Sequence, residues 1–445
     1  MRFRPFRADP RVSPAQGAAL GYQISRLRRY RAESEIEAQG LPSRGAFRFF
    51  ASPHYPYMKS KYIVSTTIAI FALTSCLSAE EVKYPPINPA LTYWQAAALM
   101  PDLKGEKAEL LNDAIFGKKP LDDAKVRELL TESEDSLRLF AKAAASSAPC
   151  DWGLDLKEGP ELGLPHISKI RELSRLAVLK ADALFAEDKA SEGIDWLLLT
   201  HRAARHAGAS DLLIAVLVQD SIEGAIIYSA GLHCLGWNDA VRKMYADGLK
   251  TLPPPHSLGD AVRNETIFID WIERLLQSTE PDARRKLHEM LVSANPRGNE
   301  PGPEREAEIK LLEEQFTSGN SPKLIAELRN LNLRTQAAMG MPWKESRLAL
   351  EGIDKETQEG NNVLKMSYPS FESVNFKRFQ IATLRTMLDA ALQYGPKLDE
   401  ATAAGFKDAF DGEPLVLRKG EDGSMTLKAA RQYWKGKDIE LKLGK

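Results

Sequence analysis

Residues 211–235 have the sequence DLLIAVLVQDSIEGAIIYSAGLHCL, with apolar side chains almost all the way round. This pattern is typical of a helix that is buried at the centre of a helical domain. In the two segments before it, 165–187 and 190–207, apolar residues recur at helical spacing and only a tight turn separates the segments. The sequence therefore predicts helices that pair as αα-hairpins and stack around a central helix.

The same patterns predict helices over most of the chain that follows residue 89. The expected ranges are 90–100, 106–116, 122–146, 165–187, 190–207, 211–235, 237–250, 257–278, 281–291, 304–316, 322–338, 344–358 and 371–394. Near the carboxyl end, 414–418 and 424–427 flank a turn that contains glycine, which indicates a β-hairpin. The expected fold is mainly α, with irregular stacked α-hairpins and a small C-terminal β-hairpin. It is tetratricopeptide-like, but it lacks the regular repeat of roughly 34 residues.

Changes in composition divide the chain into five expected regions. Proline disfavours helix, so residues 85–89 (PPINP) are expected to form a linker, and residues 252–255 (LPPP) to close the first helical block. The regions are a disordered or mis-annotated extension at 1–57, a signal peptide or membrane anchor at 58–79, an α-hairpin domain at 80–255, a second helical region at 256–396, and a C-terminal β-hairpin module with its tail at 397–445.

The overall composition is that of a globular protein, but its charge is unevenly distributed. The 445 residues are 43% apolar and 27% charged, with a formal net charge of −1. Residues 1–61 carry a net charge of +8, and the rest of the chain carries −9. An acidic body is the opposite of the positive surface that nucleic-acid binding requires, so we expect no nucleic-acid partner.

Residues 58–79 have the pattern of an export signal. A short basic stretch is followed by an apolar run of eleven residues, 63–73. This run is shorter than the roughly 20 residues of a membrane-spanning helix. Residues 73–76 (LTSC) resemble a bacterial lipobox, which makes Cys76 a lipidation candidate, whereas cleavage after Ala79 and an uncut anchor are the alternatives. Each alternative exports the rest of the chain, either into the periplasm or attached to a membrane.

Two cysteines remain beyond this signal, Cys150 and Cys234. In an oxidising compartment they can form one disulfide. The alternative is that both are free thiols that pack as small apolar side chains. The chain lacks the paired CxxC spacing of zinc sites, and we expect neither a metal nor another cofactor.

Three polar side chains, Gln219, Asp220 and Glu223, interrupt the apolar central segment and are the strongest site candidates. A buried carboxylate needs a partner, and Arg202 and Arg205 of the preceding helix are in position to supply one. Two interpretations are open, namely an acid with a raised pKa in a cleft and a structural ion-pair network between stacked helices. Because no catalytic motif accompanies these residues, we assign no catalytic residue.

Asp151 and Trp152 lie in a predicted loop between helices, and they are further binding candidates because recognition residues are common in loops. The indole of Trp152 has two flat faces on which a sugar or a peptide can stack. Its large apolar area is equally suited to filling the gap between helices. Both interpretations of Trp152 stay open at the level of sequence.

Five short segments of the chain form a recognisable set, namely 150–156 (CDWGLDL), 159–160 (GP), 164–166 (LPH), 252–255 (LPPP) and 263–265 (RNE). In these segments the chain resembles a group of uncharacterised, exported, helix-rich bacterial proteins of planctomycete and verrucomicrobial type. The resemblance implies a helical fold and an exported protein, and it brings no activity with it.

The tail carries a second resemblance. Residues 408–415 (DAFDGEPL) are similar to the ending of the same group, which in turn looks like the C-terminal hairpin of type II secretion pseudopilins, although Ala409 replaces a proline of that pattern. The simpler interpretation is a polar turn that leads into a stabilising hairpin, since Asp and Gly are ordinary turn residues.

Together these patterns favour an envelope-associated protein without catalysis, whose helices present a groove to a protein, peptide or glycan. One alternative is a hydrolase or lyase that uses Glu223 or Asp220 as its acid or base. Another is an accessory protein of a secretion apparatus, in which the helix 371–394 and the hairpin form a separate module. The membrane is a further expected partner, through the N-terminal anchor or a lipid.

Overall fold

A computed structural model describes residues 87–445, apart from some internal positions and the last residue. The positions left out are 116, 279–281, 284, 288–306, 308–309, 311–313, 315–318, 320, 361–367, 422 and 445, together with the side chains of 160 and 161. The predicted extension 1–57, the signal segment 58–79 and Cys76 lie outside the described residues. Parts of the helices expected at 281–291 and 304–316 lie outside them as well.

Fourteen α-helices and three short strands make up most of the described chain. The helices of the first half are α1 (Pro89–Leu99), α2 (Glu106–Ile115), α3 (Ala124–Glu132), α4 (Glu134–Ala144), α5 (Pro165–Ala186), α6 (Ala190–Gly208), α7 (Leu213–Cys234) and α8 (Asp239–Lys250). The helices of the second half are α9 (Leu258–Asn264), α10 (Thr266–Gln277), α11 (Ser321–Met339), α12 (Trp343–Glu359), α13 (Glu372–Tyr394) and α14 (Glu400–Ala403). The strands are β1 (Val416–Lys419), β2 (Met425–Lys428) and β3 (Glu440–Leu443). The prediction of a mainly helical fold with a small C-terminal β-structure is confirmed.

Several helices begin at a residue whose side chain caps them. Asn88 accepts a hydrogen bond from the backbone N–H of Ala90 at the start of α1, and Ser257 caps α9 in the same way. At the start of α5, Pro165 occupies the first turn, where its missing N–H leaves no hydrogen bond unmade.

Two helices that the periodicity predicts as continuous are each broken in two. The segment 122–146 breaks at Ser133, whose hydroxyl donates to the carbonyl of Leu129 at 2.7 Å. The segment 257–278 breaks at Glu265, between α9 and α10. The two shorter helices of each pair contribute buried side chains to the same apolar cluster.

The predicted central helix is α7, which packs against α5, α6, α13 and β3. Its Gly231 is required by the close approach of β3, because a Cβ there would lie 2.8 Å from the carbonyl oxygen of Lys442. The backbone N–H of Gly444 also donates to the carbonyl of Gly231 at 3.1 Å. Within the described residues, α7 is the one helix long and apolar enough to cross a membrane, and 56% of that stretch is buried inside the protein.

The three strands form one antiparallel sheet in the order β1-β2-β3. The pairing aligns Leu417 with Leu427 and Leu427 with Leu441, and all three side chains are buried. The predicted hairpin is present as β1 and β2, whereas the third strand was not predicted from the sequence. The sheet therefore presents a row of leucines to the helical core.

The apolar core consists of two clusters of buried side chains. The first joins α1–α8 with α13 and the three strands, and it includes Phe410 and Leu441 of the tail. The second joins α9, α10, α11 and α12 with Val216 of α7. The tail therefore shares an apolar cluster with the first helices.

The turn before the sheet is organised around Asp408. Its Oδ1 accepts hydrogen bonds from the backbone N–H groups of Phe410 and Asp411, at 2.9 Å and 3.0 Å, and its Oδ2 accepts one from the hydroxyl of Tyr433 at 2.6 Å. The ring of Phe410 stacks on that of Tyr433 with centroids 4.2 Å apart. Residues 408–415 thus form a polar turn that is fastened to the core.

Candidate functional site

Glu223 lies in the middle of α7 and is completely buried. Its carboxylate forms ion pairs with Arg205 of α6 and with Arg385 of α13, and the Nε of Arg385 lies 3.1 Å from Oε2. The Nε of Arg205 also donates to the carbonyl of Pro253 at 3.0 Å. The ion pairs of this one carboxylate therefore join three helices, and Arg205 extends the connection to the loop after α8.

The partners of Glu223 were only partly predicted. Arg205 is one of the two arginines that the sequence indicated. Arg202 instead lies half-buried near His206, where its charge adds to burial in lowering the pKa of that imidazole. Arg385 stands 162 residues away along the chain and no local pattern indicated it.

Asp220 differs from Glu223 because it keeps some exposure to solvent. Burial raises its pKa to about 6, although the charges of Arg385 and Arg205 oppose the rise. A carboxyl group with this pKa exchanges its proton near neutral pH, as a general acid or base does. Asp220 is therefore the one of the two candidate carboxylates whose environment is compatible with proton transfer.

Gln219, the third polar residue of α7, fastens the loop after α8. Its side chain accepts from the backbone N–H of His256 at 3.0 Å and donates to the carbonyl of the same residue at 3.2 Å. The Nδ1 of His256 lies 2.6 Å from the carboxylate of Asp211. Since Gln219 has no exposed area, these two hydrogen bonds explain why an amide is tolerated inside α7.

Trp152 is half-buried and packs against residues of α1, α5 and α6. Its indole stacks on His166 with centroids 4.5 Å apart and on Tyr93 with centroids 5.7 Å apart. Its Nε1 donates to the carbonyl of His206 at 2.7 Å. Aromatic rings therefore stack against the indole of Trp152. This contact agrees with the interpretation in which Trp152 fills a gap between helices.

Asp151 beside it is exposed, and its backbone is held by Asn88. The Nδ2 of Asn88 donates to the carbonyl of Asp151 at 2.6 Å, and its Oδ1 accepts from the N–H of Asp151 at 3.1 Å. The carboxylate of Asp151 accepts from the N–H of Gly153 at 2.9 Å. The side chain of Asp151 thus stabilises a local turn and stays exposed to solvent.

Cys150 and Cys234 are free thiols, so the candidate disulfide is not formed. Burial raises the pKa of each thiol to about 12, so both are uncharged at neutral pH. The Sγ of Cys234 donates to the carbonyl of Gly231 at 3.3 Å. The two cysteines are therefore free thiols that pack as small side chains, which is the second of the alternatives that the sequence left open.

A buried group of Ser229, His233 and Asp182 has the composition of a catalytic triad but a different geometry. The hydroxyl of Ser229 donates to Oδ1 of Asp182 at 2.5 Å, and Nε2 of His233 lies 3.2 Å from the same oxygen. In a triad the histidine accepts the proton of the serine, whereas here the carboxylate does. Ser229 and Asp182 are also buried, so the group holds α5 against α7.

A groove of about 590 Å³ lies on the surface between α10 and α11. This α10/α11 groove is lined by Glu273, Pro322, Ile325, Ala326, Arg329, Asn330, Leu333, Arg334 and Ala337. Ile325 is buried at its floor, and Leu333 is 60% exposed. No sequence pattern had singled out this groove, because it depends on how two helices far apart in the chain are placed.

The charged residues of the α10/α11 groove are held by neighbours. Arg329 pairs with Asp270 at 2.8 Å and with Glu273 at 2.6 Å, and Nη1 of Arg334 lies 2.7 Å from the carboxylate of Glu356. Each arginine is therefore fixed at the rim, and the apolar side chains form the accessible interior of the groove.

Comparisons of the chain with protein-family models, curated proteins and solved structures find no match. Within the part of the chain that the structure describes, no three His, Cys, Asp or Glu side chains lie close enough together to hold a metal ion.

Proposed function

We propose that the chain is an exported, envelope-associated protein that binds a helical segment of a partner protein in the α10/α11 groove. The observation that carries this proposal is the groove itself, with apolar residues inside and arginines at its rim. Export rests on the signal pattern of residues 58–79. A protein or peptide partner is favoured over a glycan, because the accessible lining of the groove is mostly apolar.

The geometry of α11 supports a helical partner. Positions 322, 326, 329, 333 and 337 recur every three or four residues, so they lie on one face of the helix. The stripe spans about 22 Å at a rise of 1.5 Å per residue. A groove of this kind accepts an amphipathic helix whose apolar residues recur at the same spacing.

A matched pair of substitutions tests the groove. Leu333→Glu places a charge inside it, whereas Leu348→Glu places a charge on α12 at a side chain that is similarly exposed, at 63%. Peptides selected from a displayed library of amphipathic helices for binding to the wild-type chain should bind Leu333→Glu roughly tenfold to a hundredfold more weakly, from the loss of one buried leucine. Their affinity for Leu348→Glu should be unchanged.

Two results would overturn the proposal. One is a selection from which no peptide is enriched on the wild-type chain. The other is a set of enriched peptides that bind Leu333→Glu as tightly as the wild type.

Asp220 supports a second candidate, a hydrolase or lyase that uses this carboxyl as its acid or base. The supporting observation is its pKa of about 6 together with its partial exposure. Turnover of chromogenic glycosides, esters or peptides that disappears in Asp220→Asn would support it. Turnover that is equal in the wild type and in Asp220→Asn would exclude Asp220 as the catalytic group.

A further inference from the structure

The outward face of α1 is apolar. Leu91, Trp94, Ala98 and Leu99 lie within an arc of about 140° at 3.6 residues per turn, and Gln95 is the one polar residue of that arc. Leu91 is 59% exposed, Leu99 is 51% exposed and Trp94 is 37% exposed. Single exposed leucines are ordinary, but a contiguous patch on one helix face marks an interaction surface.

The outward face of α1 differs in charge from the surface beside it. Among the fourteen helices that the structure describes, α1 is the one without a charged residue. The adjacent α4, which packs against α1, exposes Glu134, Asp135, Arg138 and Lys142. The absence of charge is therefore a property of the outward face of α1 and not of this end of the described chain in general.

The position of α1 in the chain indicates what covers this face. The apolar run 63–73 of the predicted export signal ends sixteen residues before α1 begins at Pro89. Sixteen extended residues reach at most about 55 Å. We propose that the outward face of α1 lies on the lipid surface to which residues 58–79, or a lipid on Cys76, attach the chain. This inference rests on the membrane attachment in the proposed function.

The chemistry of the face suits a lipid interface. Tryptophan is enriched at the boundary between lipid headgroups and acyl chains, and leucines enter the upper acyl region by about 5–10 Å. A stripe as short as that of α1 binds weakly alone. Because the attachment holds α1 close to the membrane, however, docking becomes an intramolecular step with a high effective concentration.

Trp94 provides the reporter for the test. Of the seven tryptophans, all of which are described, it is the one whose side chain is exposed. The full chain is reconstituted with vesicles of phosphatidylethanolamine and phosphatidylglycerol whose acyl chains carry bromine, a contact quencher of tryptophan fluorescence. Flotation of the vesicles measures attachment, and the difference between wild-type and Trp94→Phe fluorescence isolates the signal of Trp94.

The proposal expects a chain that floats with the vesicles and a Trp94 signal that the brominated lipid quenches. The double substitution Leu91→Glu and Leu99→Glu should abolish this quenching while flotation persists. The control Leu348→Glu should retain both.

Three outcomes contradict the inference in distinguishable ways. A chain that floats with an unquenched Trp94 overturns the docking of α1 and leaves the attachment intact. A chain that does not float overturns the membrane attachment of the proposed function, and docking with it. Quenching that persists in the double variant shows that Leu91 and Leu99 do not hold α1 on the lipid, which overturns the role of this apolar face.

Discussion

Acid should destabilise this protein strongly, because two buried histidines and one half-buried histidine of α5 and α6 are held in the uncharged form. Burial lowers the pKa of His166 to about 4 and that of His201 to about 3, the latter with help from the nearby Arg205. Burial also lowers the pKa of the half-buried His206 to about 4. An unfolded chain has a histidine pKa of about 6.5.

The sign of the effect follows from this difference. The folded pKa values lie below the unfolded one, so the unfolded chain binds protons first as the pH falls through about 6.5. At about pH 5 the loss of stability is about 2 kcal/mol for His166 and for His201, and less for His206. Asp220, whose pKa is raised to about 6, is protonated earlier in the folded chain and restores about 1 kcal/mol. The net loss from these four groups is about 4 kcal/mol, a large part of the stability of a typical domain.

Urea unfolding of the wild type and of His201→Gln, at about pH 7.5 and about pH 5, measures the contribution of one histidine. Removing the imidazole should reduce the loss of stability between the two pH values by about 2 kcal/mol. The control is Tyr245→Phe, which breaks the 3.0 Å hydrogen bond to His201 but keeps the titrating group. The reasoning is refuted if His201→Gln loses as much stability on acidification as the wild type.

Two further predictions concern the candidate site. Glu223→Ala should lower the free energy of unfolding by about 3–5 kcal/mol, because two arginines lose a buried partner. The control Glu128→Ala removes an exposed carboxylate of α3 and should change this free energy by less than about 0.5 kcal/mol. Equal unfolding midpoints for the two variants would refute this role for the carboxylate. Trp152→Ala should cost about 3 kcal/mol, since it empties the space between Tyr93 and His166. An unchanged thermal midpoint would contradict that role.

The fold was predictable where a local pattern decides it. The apolar sequence of α7 indicated a central helix, and its packing against α5, α6, α13 and β3 confirms the prediction. The break at Ser133 was not predictable from periodicity, because the apolar spacing continues through α3 and α4. β3 was missed because its four residues, ELKL, acquire their partner only when Leu441 pairs with Leu427.

The candidate site was predictable only for neighbours in the chain. Glu223 and Arg205 lie on consecutive helices, so their pairing could be expected from the hairpin that α6 and α7 form. Arg385 could not be found in this way, because α13 reaches α7 only in the folded chain. For Trp152 the sequence left two interpretations open, since the rings that stack on it come from helices before and after it.

The most direct test of the proposed function is photocrosslinking in the native envelope, with p-benzoylphenylalanine in place of Leu333. The account predicts one discrete crosslinked partner from this position, and none from the same group placed at Leu348, which is exposed to a similar extent but lies outside the groove. The same adducts from both positions, or none from Leu333, would contradict the claim that the α10/α11 groove binds a partner.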